Sequence, residues 1–374
     1  MTPPINRVAR IATLAIAAAL PLWSLSATSG AATVTDNVNV VGYSVVGPAF
    51  KALETSFLAT PAGAGVGFTN SFGASDTQTQ NVEAGQSADL VNLSYEANIS
   101  SLVTTNKVSA SWATQEATYG RVNTALTGRA AQTNYSTPGI VTDSVVVFIV
   151  RKGNPLKITN WSNLTAKGVR IVTPNPLTSG SARWNLLAAY SSQLQLGKTP
   201  AQARAYLKLF ITHTVAQPTS GSAAMAAFVA GTGNVLVDYE DDAKAAVAAG
   251  DPIQIVTPAQ SLLIENPLAL TNTGLTNPGA KAFYRYLFSA AGQGIFASLG
   301  YRSVLTTIWK ATSASFVKFT KPNSLWSVTN INSQGWKSVN STFFWPTVVF
   351  ATGSTSTTTR GLVTYLERFA GTAA

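Results

Sequence analysis

The chain of 374 residues has no cysteine and a single histidine. Without cysteine there is no disulfide scaffold, thiolate metal site, cysteine nucleophile or lipid-modified N-terminal cysteine. With His213 alone, multi-histidine metal centres are excluded as well, and the default reading of that residue is structural. A serine-hydrolase reading fails because no Gly-x-Ser-x-Gly elbow with a downstream histidine is present. Charge is scarce too. Asp, Glu, Lys and Arg make up 11% of the residues, against about a quarter in an average domain. Acidic residues number 15 against 25 basic ones. So few carboxylates leave little material for general acid–base pairs. They also predict low sensitivity to acid, because acid unfolding proceeds mainly through protonation of native carboxylates. A net charge of +10 suits an anionic partner. No Lys/Arg run reaches the density of a nucleic-acid patch, so no nucleic acid is expected. Lys107, Lys152, Lys157, Lys167 and Arg170 are scattered as on a solvated surface. What the sequence has in quantity is apolar: 46% hydrophobic residues, enough for one large or two ordinary domains.

Arg7 and Arg10 precede the apolar stretch Ile11–Leu25, and small residues from Ser26 to Ala32 follow. This positive, apolar, small-residue order is that of a secretory signal, residues 1–32, with cleavage after Ala31 or Ala32. An uncleaved membrane anchor is the alternative, but the apolar run is short for a span and carries Pro21. The later run from Phe343 to Phe350 is also too short and contains Pro346. The mature protein is therefore expected to work outside the cytoplasm, in a periplasm or secreted.

Downstream, strands are expected at Asn37–Ser44, Gly65–Asn70, Ala88–Leu93, Val145–Val150, Val169–Val172, Val235–Tyr239 and Ile253–Thr257. Helices are expected at Pro48–Leu58, Thr77–Glu83 and Ala182–Leu196. Val145–Val150 is β-branched apart from Phe148, the composition of a strand buried on both faces. The alternation implies parallel sheets covered on both sides, with too many units for one small sheet, so two α/β lobes are expected. No internal repeat is present. The polar stretch Gly353–Thr359 reads as a flexible surface turn.

Three times a strand runs into small polar residues and then into a helix: at Ser71-Phe-Gly-Ala-Ser75, at Thr173-Pro-Asn-Pro-Leu-Thr-Ser-Gly-Ser181, and at Gln217-Pro-Thr-Ser-Gly-Ser222. A helix start offers free backbone N–H groups and the positive end of the dipole. Ser and Thr add hydroxyl donors, and Gly lets a ligand reach the backbone. Such loops hold anions without a charged side chain. Each taken alone reads equally as a helix cap. None ends in the Gly-Lys-Ser/Thr of a nucleotide phosphate loop, and no cofactor is expected.

Several of these segments resemble the sulfate/thiosulfate-binding proteins of ABC importers. Thr173-Pro-Asn-Pro-Leu-Thr-Ser-Gly-Ser-Ala-Arg-Trp-Asn185 is similar to that family's T-P-N-P-x-T/S-S-G-G-A-R-W-N. Val146–Pro155 with Trp161 resembles V-F-x-V-R-K-G-N-P…W, and Ser71–Ser75 with Gln78 resembles S-x-G-A/G-S-G-x-Q. Val235–Glu240 resembles V-L-x-x-W/Y-E-N-E. Ile255–Pro258, Gly300-Tyr-Arg302 and Gln334-Gly-Trp336 also have counterparts. The likeness runs in order from about residue 37 to 302. It implies an α/β protein with the two-lobed type II periplasmic-binding-protein fold, a mainly parallel sheet in each lobe and the ligand cleft between. By that likeness residues 33–142 with 258–308 form lobe I, 143–257 form lobe II, and 309–374 form a divergent tail packed on the lobes. The hinge would lie near residues 141–146 and 238–260.

The resemblance further implies a monomeric, non-enzymatic receptor for sulfate or a related oxyanion, docking on ABC permease membrane subunits. Thiosulfate, phosphate or molybdate are alternative ligands, and a secreted surface protein that kept the fold but lost the site is another reading. Ser75, Ser179, Gly180, Ser181, Gly221 and Tyr239 fall on ligand positions. Tyr43, Ser44, Asp76, Thr178, Arg183 and Ser222 fall close behind them. Tyr239 stands where many members have Trp, and its hydroxyl can replace an indole donor. Ser181 replaces the second Gly of S-G-G, Ser222 a common Arg, and Ser44 an acidic residue. Asp76 stands where Gly usually follows the loop serine. Turned toward the ligand, it would repel sulfate and accept a proton from hydrogen phosphate. The expectation is that it caps its helix and faces water. Asp238, Glu240, Asp241 and Asp242 form the acidic cluster, expected to serve a helix start or hinge rather than calcium, whose loop spacing they lack. Trp326, Trp336 and Trp345 are expected to pack the tail, with a sugar-stacking face as the alternative.

Overall fold

The computed structural model describes residues 34–115, 139–305, 308, 322–344, 348–352, 355–359 and 361–372. The expected leader, Trp345 and the Gly353-Ser354 step lie outside the described residues.

The sheet is built around two long strands, β4 (Ile140–Arg151) and β9 (Gln260–Leu270). β4 follows from its sequence. β-branched residues fill a pleated surface well, and successive side chains point to opposite faces. Val146, Phe148 and Val150 accordingly enter one core, with Trp161 and Trp184. Val145, Val147 and Ile149 enter another, with Phe228 and Leu236. Both faces are covered, as the composition predicts.

Parallel strands flank the long pair on each side. On one side β1 (Asp36–Tyr43) lies between β2 (Val66–Gly73) and β3 (Leu90–Asn92), and β3 then pairs antiparallel with the C-terminal end of β9. On the other side β5 (Ile171–Val172) lies between β6 (Thr214–Ala216) and β7 (Val235–Tyr239). β7 pairs antiparallel with β4 from Val146 to Val150. Residues Ile140–Val145 of β4 pair instead with Leu263–Pro267 of β9. Beyond Val145, β8 (Ile253–Val256) takes over that edge of β4.

The expectation of parallel sheets therefore holds for the flanking strands, and the long strands correct it. β9 was not expected at all, because Glu265-Asn266-Pro267 interrupts its apolar run with turn-like residues. The fold satisfies that interruption. The Pro267 carbonyl accepts from Asn92 Nδ2 at 2.8 Å, and Asn266 donates to the Ser94 carbonyl at 3.2 Å.

Helices cover both faces. α1 (Gly47–Leu58), α2 (Ser75–Glu83) and α3 (Glu96–Thr104) accompany the first group of strands. α4 (Gly180–Gln195), α5 (Pro200–Thr212), α6 (Gly221–Val229) and α7 (Glu240–Ala248) accompany the second. α2, α4, α6 and α7 each begin within eight residues of a strand's C-terminal end, which places their N-termini on the same side of the sheet. In such folds ligands bind beyond the carboxyl ends of the strands. His213 caps the end of α5 and its Nδ1 contacts the Val169 carbonyl at 3.0 Å, a structural role.

In the tail, Trp336 is buried with its ring centroid 4.6 Å from Tyr95 and 4.7 Å from Trp184. It ties residues of both strand groups together. The flexible-turn expectation for Gly353–Thr359 is corrected: Thr355–Thr359 is a strand, paired antiparallel with Val348–Thr352. A run of threonines satisfies β-propensity as well as it does loop composition.

Candidate functional site

The helix starts meet. The backbone N–H of Asp76, in the first turn of α2, donates to the Thr178 carbonyl before α4 at 3.1 Å. A side chain on Gly180 would put its Cβ 2.5 Å from Ser94 Cβ and 2.7 Å from the Tyr95 ring, so glycine is required for the close approach. One on Gly221, opening α6, would lie 3.0 Å from Val45 and 3.3 Å from Ser181 Oγ. Ser222 N–H donates to Ser44 Oγ at 3.4 Å, and the Tyr43 and Tyr239 rings are 6.3 Å apart. All twelve residues expected at the site thus belong to one cluster. Ser75, Ser179, Gly180, Ser181, Gly221, Tyr43 and Tyr239 are buried in it, Ser44 and Thr178 half-buried, and Ser222 exposed.

Serine hydroxyls meet within the cluster. Ser75 Oγ lies 2.7 Å from Ser94 Oγ and accepts from the Ser94 N–H at 3.1 Å. Ser179 Oγ lies 2.8 Å from Ser181 Oγ. Ser179 is the N-cap of α4, yet its side chain makes no cap bond. Ser220 caps α6 in the ordinary way, accepting from Ala223 N–H at 3.2 Å. The Tyr239 hydroxyl is buried without a hydrogen-bond partner. Burial, first, and the neighbouring Tyr43 and Asp238 hold its phenol well above the ordinary range, so it remains a donor.

Asp76 corrects its expectation. It is neither a solvated cap nor turned toward a ligand. Its Oδ1 accepts from Tyr95 Oη at 2.9 Å and from Asn98 Nδ2 at 2.8 Å, and its Oδ2 pairs with Arg183. A buried carboxylate requires hydrogen bonds and a counter-charge, and both are supplied. Arg183 is equally committed: Nε donates to the Pro176 carbonyl at 3.2 Å, and one terminal nitrogen donates to Asn340 of the tail. The two charges cancel behind the loops, and Arg183 is not an anion ligand.

Sequence reasoning missed Ser94, the hub of the cluster. Its carbonyl accepts from Trp184 Nε1 at 2.8 Å, and its N–H and hydroxyl engage Ser75. The signal was available, since Ser94-Tyr95 is a further small polar step after a buried strand and before a helix. Asp238, expected in the strand Val235–Tyr239 and grouped with a helix start or hinge, is the penultimate residue of β7, fully buried, with Oδ1 accepting from Tyr239 N–H at 2.9 Å. Glu240, Asp241 and Asp242 do form the first turn of α7, as expected. Glu240 pairs with Arg302 at 2.7 Å and Lys244 at 3.6 Å. Among the described residues no group of His, Cys, Asp and Glu is arranged to hold a metal ion.

Comparison with known proteins identifies the family. Residues 38–302 match the family model for bacterial extracellular solute-binding proteins. A sulfate-binding protein of Synechococcus elongatus is 30% identical over 314 residues, covering 82% of this chain and 83% of that protein. A thiosulfate-binding protein of Pseudomonas aeruginosa is 29% identical over 283 residues, covering 73% and 80%. The solved structure of the sulfate-binding protein SubI from Mycobacterium tuberculosis superposes with a TM-score of 0.73 at 35% identity, over 83% of this chain and all of that one. This chain belongs to the bacterial extracellular solute-binding protein family.

Proposed function

We propose that this protein is an extracytoplasmic receptor that captures sulfate and delivers it to the membrane subunits of an ABC permease. The observation that carries this reading is the convergence of three helix starts, at Ser75, Ser179–Ser181 and Gly221, around buried hydroxyls. The one arginine beside them is already neutralised. Neutral donors around a fully ionised dianion form charge-assisted hydrogen bonds without a counter-charge. Ser75, Ser179, Gly180, Ser181, Gly221 and Tyr239 are the donors in this reading. The names of the relatives from Synechococcus, Pseudomonas and Mycobacterium support it. The protein binds and releases its ligand, and performs no chemistry upon it.

The lobe boundary is drawn within β4 after Thr142, three residues before that strand exchanges β9 for β7 between Val145 and Val146. Lobe I then comprises residues 33–142 with 258–308, lobe II residues 143–257, and the tail lies across both. Closure would be a hinge motion of one lobe against the other. The leader of residues 1–32 directs export, and the mature chain acts as a monomer.

Thiosulfate is the second reading, favoured by the relative from Pseudomonas. Calorimetry on the mature chain with sulfate, thiosulfate, phosphate and molybdate tests both. Sulfate or thiosulfate should bind with the highest affinity. An absence of heat and of thermal shift with all four would leave a surface protein that kept the fold and lost the site.

A further inference from the structure

Asp238 is a carboxylate that borders the loop cluster beside Gly221, with no ion-pair partner shown. It is fully buried at the C-terminal end of β7, and its Oδ2 has no hydrogen-bond partner. A Cβ at position 221 would stand 3.7 Å from that oxygen and 3.3 Å from Ser181 Oγ. The orphaned oxygen therefore faces the point where α6 and α4 bring their first turns together.

The groups that bear on it come from several elements. Asp242 and Asp241 on α7 repel its charge, and the Tyr239 phenol lies next along β7. From α4 come Asn185, whose side chain bears on Asp238 and favours its ionised form, and Ser181, whose Oγ stands 3.3 Å from a Cβ at position 221. α6 carries no ionisable residue, and Val147 lies opposite on β4. The nearby cations are occupied: Arg183 by Asp76, and Arg302 and Lys244 by Glu240. Burial, foremost, and the Asp242 charge hold the Asp238 carboxyl well above the usual carboxylate range.

We propose that Asp238 couples proton uptake to anion capture, so that sulfate enters the cluster at Ser181 and Gly221 with a proton on Asp238. An ionised Asp238 opposes a dianion bound beside it, the more so because the carboxyl is buried. A protonated one is neutral, and its carboxyl O–H can donate to the anion. By linkage, a proton taken up on binding makes affinity fall as pH rises through the range where Asp238 ionises in the ligand-free protein. The slope approaches about tenfold per pH unit for one proton.

This inference rests on the sulfate-receptor reading, and the experiment separates the two. Sulfate is titrated into the mature chain by calorimetry from pH 6 to 9, in two buffers of different ionisation enthalpy. The wild type should lose affinity steadily with pH and take up close to one proton per sulfate at the alkaline end. Asp238→Asn should bind sulfate with an affinity constant within about threefold across the range and take up no proton. Asp242→Asn should keep the uptake. The proposal is overturned if wild type binds sulfate with no proton uptake at any pH, a measurement that needs no variant to fold. It is also overturned if uptake disappears with Asp242→Asn and persists with Asp238→Asn. In both cases the receptor reading stands. No sulfate binding at any pH overturns the receptor reading, and this inference with it.

Discussion

Asp76 and Arg183, 107 residues apart in sequence, form a nearly buried ion pair that links the start of α2 to the first turn of α4. The same two segments are joined by the Asp76 N–H to Thr178 carbonyl bond. Arg183 also lies over the rings of Tyr95 and Phe344, 5.1 and 5.2 Å from their centroids. One guanidinium thus gathers α2, the Ser94-Tyr95 loop, α4 and the tail into one cluster. Its charge is spent on structure.

Removing one partner of a buried pair strands the other charge, at a cost of about 3–5 kcal/mol. Arg183→Met should therefore destabilise strongly, and Asp76→Asn less, because the amide still accepts from Tyr95 and Asn98 side chains. The double variant should be more stable than the sum of the single changes predicts. Urea unfolding of the four proteins measures this. Strict additivity would mean that the pair carries no coupling.

Gly180 separates contact from clash. Gly180→Ala forces a methyl against Ser94 and Tyr95 across the loops. Overpacking of this kind costs about 1–3 kcal/mol, equivalent to roughly ten- to hundredfold in affinity if closure bears the cost. Gly221→Ala meets only side-chain atoms, at 3.0 Å and beyond, and should weaken sulfate binding less. Equal losses in calorimetry would contradict this ranking.

The convergence at Gly180 was legible before the structure because strand-to-helix transitions leave local marks: a buried run, a small polar step, a cap. The three anion-type loops, β4 and the flanking strands other than β6 carried such marks. What was not legible depends on partners far away in sequence. Asp76 resembled a solvated helix cap until Arg183 was placed beside it. Ser94 carried a weak version of the same mark. β9 was hidden because Glu265-Asn266-Pro267 is compatible with a strand only when Asn92 and Ser94 satisfy it. Asp238 was grouped with its charged neighbours, and Asp241 and Asp242 do bear on it, but its place in β7 beside Gly221 depends on the packing of α6.

Tyr239→Phe distinguishes a ligand donor from a structural hydroxyl. The hydroxyl has no protein partner, and removing an unsatisfied buried polar group is close to neutral or stabilising. A hydrogen bond to a charged ligand contributes about 1.5–3 kcal/mol. The variant should therefore unfold at or above the wild-type midpoint while binding sulfate roughly ten- to hundredfold more weakly. A loss of stability with unchanged affinity would remove Tyr239 from the ligand shell.

Stability should rise as pH falls from about 7 toward about 5. Burial pushes Asp241 and Asp242 up to about 7 in the folded protein, from 3.8. Desolvation pushes Glu367 to about 7 as well. Between the two values the folded state holds protons that the unfolded chain has released. Each such group therefore lowers stability as pH rises through this window, and the loss is complete above the folded value. Below about 4 both states are protonated and the difference vanishes. The direction matches the acid tolerance expected from the scarcity of carboxylates. Each kcal/mol moves the melting temperature of a chain this size by roughly 2–4 °C, so melting at pH 5 should exceed melting at pH 7.5 by several degrees. Asp241→Asn with Asp242→Asn should flatten that profile. A melting temperature that falls between pH 7.5 and pH 5 would show that ionised forms of these carboxyls stabilise the fold, contrary to the burial that pushes them up.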